Sequence, residues 1–428
     1  MGYCSLLSAL LITSGSINGQ FISPAPAQDG IINSSEYGIH IDGQNQQESG
    51  GGTWFLNWDA NNLYIAVTGS NPSEGGLIYI DVNPVIPVNG GANNDGSLQW
   101  SFDYDRTKII QPFRGDFKFY FKDSYNEFRY ADGSNEWTIE TANTITTSAN
   151  YFTNTIEFVI PWSTVTNGNG RPNAFNWFGY KMYDNGDGNN GTYHPVPDWN
   201  PTQPNNAGSG DFNQVFVPYY YSVINTDNNT ATKPFLAKSL TYHEDNSGQF
   251  VGGMEIGGIT LYDLTVNDNS ADNDDNAVGY DLYNNAQIAN RILISDHVVV
   301  NNNLYIGQGS ALFPANNLPA SSTVDVNLTM DGATGKIYNY GRLDCTPEVT
   351  QSSGDWDKRR LNFIFDGTTT IMPSTIFKDR FRFSNITINS SAELLADAGG
   401  TAGIEMQYGN LNNNGTLNLS ASNSGNIS

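Results

Sequence analysis

The chain has little cysteine, and it has no long apolar run after its first residues. Two of its 428 residues are cysteines. Cys4 lies in the apolar run 4–13 (CSLLSALLIT), and removal of that run with a signal peptide would leave only Cys345, so no disulfide could form within the chain. Packing must then supply the stability. No later segment is apolar over the ~20 residues that a membrane helix needs, which predicts no membrane insertion.

Basic residues are scarce as well. Nineteen Lys and Arg stand against 43 Asp and Glu, which gives a formal net charge of −24. Phosphate backbones and anionic lipid surfaces repel such a chain, so we expect neither nucleic acid nor a membrane as a partner. Two interpretations of the acidity stay open: the solubility of an exposed protein, and local capture of divalent cations by Asp and Asn side chains.

Catalytic motifs are missing too. The four histidines are scattered, without the spacing of metal ligands, and there is no GxSxG elbow, P-loop or dinucleotide fingerprint. Cys345 stands alone in a strand-like context, which favours packing over nucleophilic chemistry. We therefore expect a protein without catalytic residues. A polysaccharide-cleaving enzyme, with its active site in the C-terminal half or beyond Ser428, stays open as an alternative.

What the sequence does contain indicates export. The apolar run 4–13 has the length of the central part of a signal peptide, and small and polar residues follow it. Cleavage near Gly19–Gln20 predicts a signal peptide over residues 1–19 and a secreted or cell-surface protein.

Short strands and turn residues dominate the first half. Asn, Ser, Thr and Gly replace charged residues, which make up only 14% of the chain. Alternating apolar and polar positions predict that each strand has one core face, and two facing sheets predict a β-sandwich over residues 28–217. The predicted strands are 53–59, 63–67, 77–82, 98–104, 117–121, 155–160 and 175–183.

The second half has a different sequence pattern. Residues 218–276 read as an irregular connecting segment that ends in an acidic, Asn-rich patch. From 277 to 428, short apolar bursts alternate with Asn and Gly corners, which favours the coils of a β-solenoid with polar ladders at the corners over a second sandwich. Such a solenoid could also mediate self-association. Because the pattern stops without a polar cap at Ser428, the chain is expected to be part of a longer protein.

The N-terminal half resembles the family 9 carbohydrate-binding modules and the wider DOMON-like β-sandwiches. The resemblance rests on the opening Asp29–Gly30, the TWFLNWD–LYIAV hairpin, the IYIDVN strand at Ile78–Asn83 and the EFVIPWS element at Glu157–Ser163. It implies a sugar held between two Trp rings, and structural calcium. The C-terminal half looks like the strand-rich repeats of bacterial surface proteins exported by the type IX secretion system, and GITLYDLTVND at Gly258–Asp268 carries that likeness.

Three tryptophans are candidates for a sugar platform. Sugars present flat apolar faces beside hydroxyls, so an exposed indole flanked by Asn, Gln and Asp suits them. Trp100, within NNDGSLQWSFDYD, is the first candidate, and Trp177 and Trp199 compete as its partner. Each could instead belong to the core. For Trp54, Trp58 and Trp162 we expect the core.

Calcium is the second candidate chemistry. Several hard oxygens lie together in the Gly-rich loop after residue 183, an arrangement that suits a flexible site of six to eight ligands. The loop could equally be a solvated surface, since the terminal Glu of an EF-hand is missing. The predicted ligands are Asp184, Asn185, Asp187 and Asn189.

Three functions remain in competition. The leading hypothesis is a non-catalytic glycan-binding module on a β-solenoid, which serves adhesion or polysaccharide capture at a bacterial surface. The second is a purely structural component of a surface filament. The third is the polysaccharide-degrading enzyme described above.

Overall fold

A computed structural model describes residue 21 and residues 25–50, 52–90, 95–98, 108–134, 136–142, 144–184, 191–198, 214–242, 254–267, 290–307, 310–315, 326–343, 361–372, 379–383, 385–397, 402–406, 410–419 and 426–427. These residues form 34 strands and one four-residue helix, α1 (Trp162–Val165). The all-β class predicted from the sequence is confirmed. Within the described ranges, no helix has both the length and the apolar character needed to span a bilayer.

The first half forms two facing groups of antiparallel strands. The smaller sheet has the order β1-β2-β3-β10-β9, and the larger sheet begins with the order β8-β7-β6-β4-β11-β14, with β12 also paired to β11. The strands are β1 (Gln46–Ser49), β2 (Gly52–Trp58), β3 (Asn62–Thr68), β4 (Gly76–Asp81), β5 (Lys108–Ile110), β6 (Phe117–Lys122), β7 (Tyr125–Ala131), β8 (Trp137–Ala142), β9 (Thr146–Asn150), β10 (Thr155–Pro161), β11 (Phe175–Asp184), β12 (Gly191–Val196), β13 (Gln214–Phe216) and β14 (Tyr219–Val223).

The β2–β3 hairpin shows why the local prediction succeeds. Asp59 caps the turn: its Oδ1 accepts hydrogen bonds from the backbone amides of Asn61 (2.7 Å) and Asn62 (2.8 Å). Its Oδ2 accepts a third from the hydroxyl of Tyr64 (2.6 Å). An Asp that bonds the backbone two residues ahead stabilises a tight turn. The strands predicted at 77–82, 117–121, 155–160 and 175–183 are also confirmed. The strand predicted at 98–104 falls almost wholly outside the described residues.

The prediction of one buried face per strand is wrong for the central strands. Every residue of β4 is buried. Its inner side packs in the core between the sheets, whereas Tyr79 on its outer side belongs to a second apolar cluster with Phe113 and Phe178. On the outer face of the smaller sheet, Phe55 packs with Tyr37 from the N-terminal segment. Segments wrapped over both outer faces therefore bury residues that simple alternation places in solvent.

The second half is built from parallel strands, most of which pair with the strand three positions later in the chain. The pairing is interrupted once, between the strands Arg342–Leu343 and Asp379–Phe383, so the strands form four separate stacks. Strands that follow one another in sequence fall on different stacks, an arrangement that resembles the coils of a solenoid. The strands are β15 (Lys238–Tyr242), β16 (Met254–Ile256), β17 (Ile259–Leu261), β18 (Leu264–Val266), β19 (Asn290–Ile294), β20 (Val298–Val300), β21 (Asn303–Ile306), β22 (Ser310–Pro314), β23 (Val326–Met330), β24 (Gly335–Asn339), β25 (Arg342–Leu343), β26 (Leu361–Phe365), β27 (Thr368–Ile371), β28 (Asp379–Phe383), β29 (Ile386–Ile388), β30 (Glu393–Ala396), β31 (Ala402–Met406), β32 (Leu411–Asn413), β33 (Thr416–Asn418) and β34 (Asn426–Ile427).

Columns of apolar side chains fill the interior of these coils. Leu264, Leu304, Ile337, Ile371 and Ala396 lie in register on successive strands, and all five are buried. Successive members of the column are 40, 33, 34 and 25 residues apart. This unequal spacing explains why the sequence shows recurrent strands but no fixed repeat length.

A polar ladder runs across neighbouring parallel strands, within β23 and β26 and directly before β29 and β32, whereas the sequence predicts such ladders at the corners. The Nδ2 of Asn362 donates to the Oδ1 of Asn327 (3.3 Å), and the Nδ2 of Asn385 donates to the Oδ1 of Asn362 (2.9 Å). The ladder continues to the backbone amide of Asn410, which donates to the Oδ1 of Asn385 (3.0 Å). Each amide therefore satisfies a neighbour on the next coil.

The two halves share one sheet of 14 strands, because β14 pairs with β15 and β15 pairs with β18. We call this junction the seam. Two side-chain contacts reinforce it: the hydroxyls of Ser222 and Ser239 lie 2.9 Å apart, and Asn89 exchanges hydrogen bonds with Asn267 through its amide group (2.6 and 2.9 Å). Within the segment 218–276, predicted as an irregular connection, the described residues form β14 to β18, and strands of three to five residues are too short for periodicity to reveal.

Candidate functional site

Trp177, predicted as a ligand platform, lies in the core. The residue has no exposed surface, and its indole Nε1 donates to the carbonyl oxygen of Pro234 (3.0 Å). The rings of Tyr221 and Phe235 pack against it, with centroids 5.3 and 5.1 Å away. Because no face of the ring is open to a sugar, the core alternative holds for this residue. The core predictions for Trp54, Trp58 and Trp162 are confirmed, since each is at most 1% exposed.

The other predicted site residues lie almost entirely outside the described part. Trp100 and Trp199 fall there, and so do Asn185, Asp187 and Asn189 of the predicted calcium loop. Asp184 is the last residue of β11, where its backbone is in register with Gly191 of β12. These sugar and calcium residues stay predictions.

Within the described residues, no group of three or more His, Cys, Asp or Glu side chains is arranged to hold a metal ion. Two neighbouring carboxyls, Asp81 and Asp116, lie near the end of β4, and the charge of Asp95 acts on both. Burial raises the pKa of Asp81 well above its usual range, and it raises the pKa of Asp116 to about 6. Backbone amides already occupy both side chains: Asn83 donates to Asp81 (3.1 Å) and Val82 donates to Asp116 (2.8 Å).

Polar and ionisable side chains converge at the seam instead. We call Asp42, Gln47, Asp198, Tyr221 and Lys238 the junction site. The hydroxyl of Tyr221 donates to the Oε1 of Gln47 (3.1 Å), and Tyr221 lies in register with Lys238 on the neighbouring strand. The lysine also places its Nζ 4.5 Å from the ring centroid of Tyr219. The site joins the edge strand of the smaller sheet to the first coil.

Electrostatics link these groups. Burial raises the pKa of Asp198, and the positive charge of Lys238 opposes that rise. Burial in turn lowers the pKa of Lys238, and Asp198 opposes that change. Both carboxyl groups, Asp42 and Asp198, belong to exposed residues, whereas Lys238 and Gln47 are half-buried. The site therefore offers two exposed acceptors beside a partly desolvated cation.

The strand that carries Gln47 has unused hydrogen-bonding capacity. Asn45 is 1% exposed, yet neither its amide nitrogen nor its carbonyl oxygen has a partner among the described residues. The hydroxyl of Ser49, two residues beyond Gln47, is likewise without a partner in the described part. Buried polar atoms are normally satisfied by protein, water or ligand, so these three atoms have hydrogen-bonding capacity that a bound water or ligand could use.

Sequence reasoning missed the junction site, because its members come from four distant segments and form no motif. The only local signal is the run of polar residues 42–49 before the TWFLNWD strand. Fold and site together define an all-β protein with a polar site where a sandwich-like half meets stacked parallel strands. No protein-family model matches the chain, and no curated protein matches it.

A separate buried carboxyl shows how the N-terminal segment is held. Glu157 of β10 has no exposed surface, and it accepts hydrogen bonds from the backbone amide of Gly30 (2.6 Å) and from the hydroxyl of Tyr37 (3.1 Å). Burial raises the pKa of Glu157 to about 7, and the nearby charges of Glu36 and Asp29 add to the rise.

We expect this carboxyl to make the protein more stable in mild acid. The folded state binds the proton more tightly than the unfolded chain, so the stabilisation is complete below pH ~4.5 and is lost as the pH rises to about 7. At ~1.36 kcal/mol per pKa unit, the loss is about 3 kcal/mol.

The measurement is the free energy of unfolding in urea between pH 4.5 and 8 for the wild type and for Glu157→Gln. The variant should have a flatter profile, although not a flat one, because burial also raises the pKa of Asp116 and of Asp263 to about 6. Identical slopes for the two proteins would show that Glu157 does not titrate in this range.

Proposed function

We propose that the protein is a secreted, non-catalytic glycan-binding protein of a bacterial surface, and that the junction site takes part in holding the saccharide. The observation that carries the proposal is that Tyr221 links Gln47, Lys238 and the charges of Asp42 and Asp198, at an edge where the Asn45 amide and the Ser49 hydroxyl have no partner in the described part. Saccharides carry many hydroxyl groups that both donate and accept, and carboxylate, amide and ammonium groups together satisfy both roles.

Two buried aromatic residues hold the polar groups in place. Tyr219 is 8% exposed and lies under Lys238, and Tyr221 is 2% exposed and donates its hydroxyl to Gln47. A few polar groups fixed on a rigid support are typical of sites for small polar ligands. The net charge of −24 disfavours polyanions and is compatible with a neutral sugar.

Four finer parts of the proposal rest on the sequence. The likeness of residues 28–217 to family 9 carbohydrate-binding modules and DOMON-like sandwiches supports glycan binding, and the apolar run 4–13 supports export. Structural calcium, with Asp184, Asn185, Asp187 and Asn189 as ligands, belongs to the same proposal. The Trp100 and Trp199 rings remain candidates for the stacking platform.

The test is a glycan array probed with the purified chain, with and without a calcium chelator, followed by calorimetry on the best soluble oligosaccharide. Lys238→Ala and Asp42→Ala should each weaken binding about tenfold or more, because each removes a charged hydrogen-bonding partner worth ~1.5–3 kcal/mol. Loss of binding on chelation would support the calcium site.

Lys233→Ala is the matched control, since Lys233 lies on the loop before β15 and outside the junction site. It should bind like the wild type. Self-association of the chain without retention of any glycan would favour the structural-filament alternative. Release of new reducing or unsaturated ends from a polysaccharide would favour the enzyme.

A further inference from the structure

A column of outward-facing residues crosses the coils on the shared sheet. Thr241, Thr265, Tyr305 and Tyr338 are in register on β15, β18, β21 and β24. The alternating neighbours of Tyr305, Leu304 and Ile306, are buried in the solenoid interior, so the tyrosine faces outward. The next position in the column is Met372, whose backbone amide bonds to the carbonyl oxygen of Ile337 (2.9 Å).

The residues of this column become more exposed from β15 towards β24. Thr241 and Thr265 are at most 1% exposed, at the end of the column where Asn89 ties the loop after β4 to Asn267. Tyr305 and Tyr338, on the following coils, are partly exposed. The aromatic residues therefore emerge beyond the coils to which that loop is tied.

Three tyrosines form a continuous surface there. The ring centroid of Tyr305 lies 5.8 Å from that of Tyr338 and 5.6 Å from that of Tyr340, with tilts of 41° and 53°. Burial raises the pKa of Tyr305 to about 12, so its hydroxyl stays protonated and can donate a hydrogen bond at neutral pH. We call Tyr305, Tyr338, Tyr340 and Met372 the tyrosine strip.

The flanks of the strip are polar, and the negative charges near it are Asp263 and Asp397, which both act on Tyr338. Asn303, Lys336 and Thr370 form the adjacent outward column, in register with one another. Lys336 is exposed and makes no ion pair among the described residues. Aromatic rings beside amide, hydroxyl and ammonium groups suit a ligand that has both apolar faces and hydroxyls.

Net charge distinguishes between the classes of ligand that the tyrosine strip could bind. A polyanion would meet a chain of net charge −24 with one lysine at the strip, and a second copy of this chain would bring a further −24 against it. A neutral ligand avoids both costs. The stacked coils repeat along the column, so the strip suits an elongated ligand better than a compact one.

We propose that the tyrosine strip is a second binding surface for a neutral, extended polysaccharide chain, separate from the junction site. The proposal takes its ligand class from the proposed function but uses none of the same residues. A chain long enough to occupy both surfaces would bind more tightly than a short oligosaccharide, because the second contact becomes intramolecular.

The experiment compares soluble xylan, β-glucan and mannan with their hexasaccharides, using the full chain in affinity gel electrophoresis and calorimetry. Tyr305→Ala/Tyr338→Ala should weaken binding of the retained polysaccharide about tenfold and leave hexasaccharide binding unchanged. Thr329→Ala/Thr387→Ala is the matched control, because these outward residues lie on another stack of the same solenoid; it should bind normally.

Unchanged polysaccharide binding by the tyrosine variant would overturn the proposal, and the junction-site variants would still test the proposed function separately. A wild-type dimer that the tyrosine substitutions convert to a monomer would also overturn it, in favour of a contact between copies. If the double variant fails to fold, Tyr340→Ala gives the same measurement, since Tyr340 lies at the corner after β24.

Discussion

Replacing Gly332 by Ala should severely destabilise the stacked parallel strands of the second half. A Cβ at this corner would lie 1.8 Å from the carbonyl oxygen of Asn301 on the preceding coil, and the same crowding recurs one coil later, where a Cβ on Gly367 would lie 2.1 Å from the carbonyl oxygen of Gly332. The clash is with backbone, which cannot rotate away. We expect a cost of about 3 kcal/mol or more, at the upper end of overpacking penalties.

The measurement is amide hydrogen exchange, compared strand by strand between the wild type and Gly332→Ala. Because each coil contacts only its neighbours, the amides of β20, β23 and β26 should lose protection, while those of β2 and β3 in the sandwich-like half keep it. Gly170→Ala is the control, since a Cβ there meets no atom within 4 Å. Wild-type protection around Gly332→Ala would show that the corner can relax.

Replacing Trp177 by Ala should cost about 3–5 kcal/mol, the usual effect of removing a large buried aromatic side chain. The substitution removes the contacts with Tyr221 and Phe235 and leaves the carbonyl oxygen of Pro234 without its indole donor. Because Tyr221 belongs to the junction site, the loss should also loosen that site. Urea unfolding measures the first effect, and calorimetry with the bound oligosaccharide measures the second.

Phe152→Ala provides the contrast, because Phe152 is 96% exposed on the turn before β10. Its free energy of unfolding should change by no more than ~0.5 kcal/mol. Full stability of Trp177→Ala combined with lost glycan binding would contradict the core assignment and restore the ring as a ligand platform.

The sequence predicted those parts of the fold that depend on local chemistry. The β2–β3 hairpin follows from alternating apolar residues and an Asp59 that bonds its own turn. The polar ladders follow from recurrent Asn, of which Asn327, Asn362 and Asn385 are examples. Burial on both faces of β4 did not follow, because the covering segments are distant in sequence.

The candidate site was less accessible to prediction. Whether Trp177 faces a ligand or the core depends on Pro234 and Phe235, which the chain brings close only after it has folded. The junction site depends on β14–β15 pairing, which places Lys238 opposite Tyr221, and on the approach of Asp42 and Asp198 from distant segments. Neither contact leaves a pattern that spacing or composition could show.

The shared sheet also has a mechanical consequence. A force applied between a sugar bound at the seam and the last coils would be carried by the backbone hydrogen bonds that join successive strands. The β14–β15 and β15–β18 pairings contain three residue pairs each, against seven for β3–β10. Pairings of three residues also join later coils, such as β18–β21 and β30–β33, so the seam has no longer backbone pairing than they have. The Asn89–Asn267 amide exchange adds two side-chain hydrogen bonds to the seam, and these bonds share the load there.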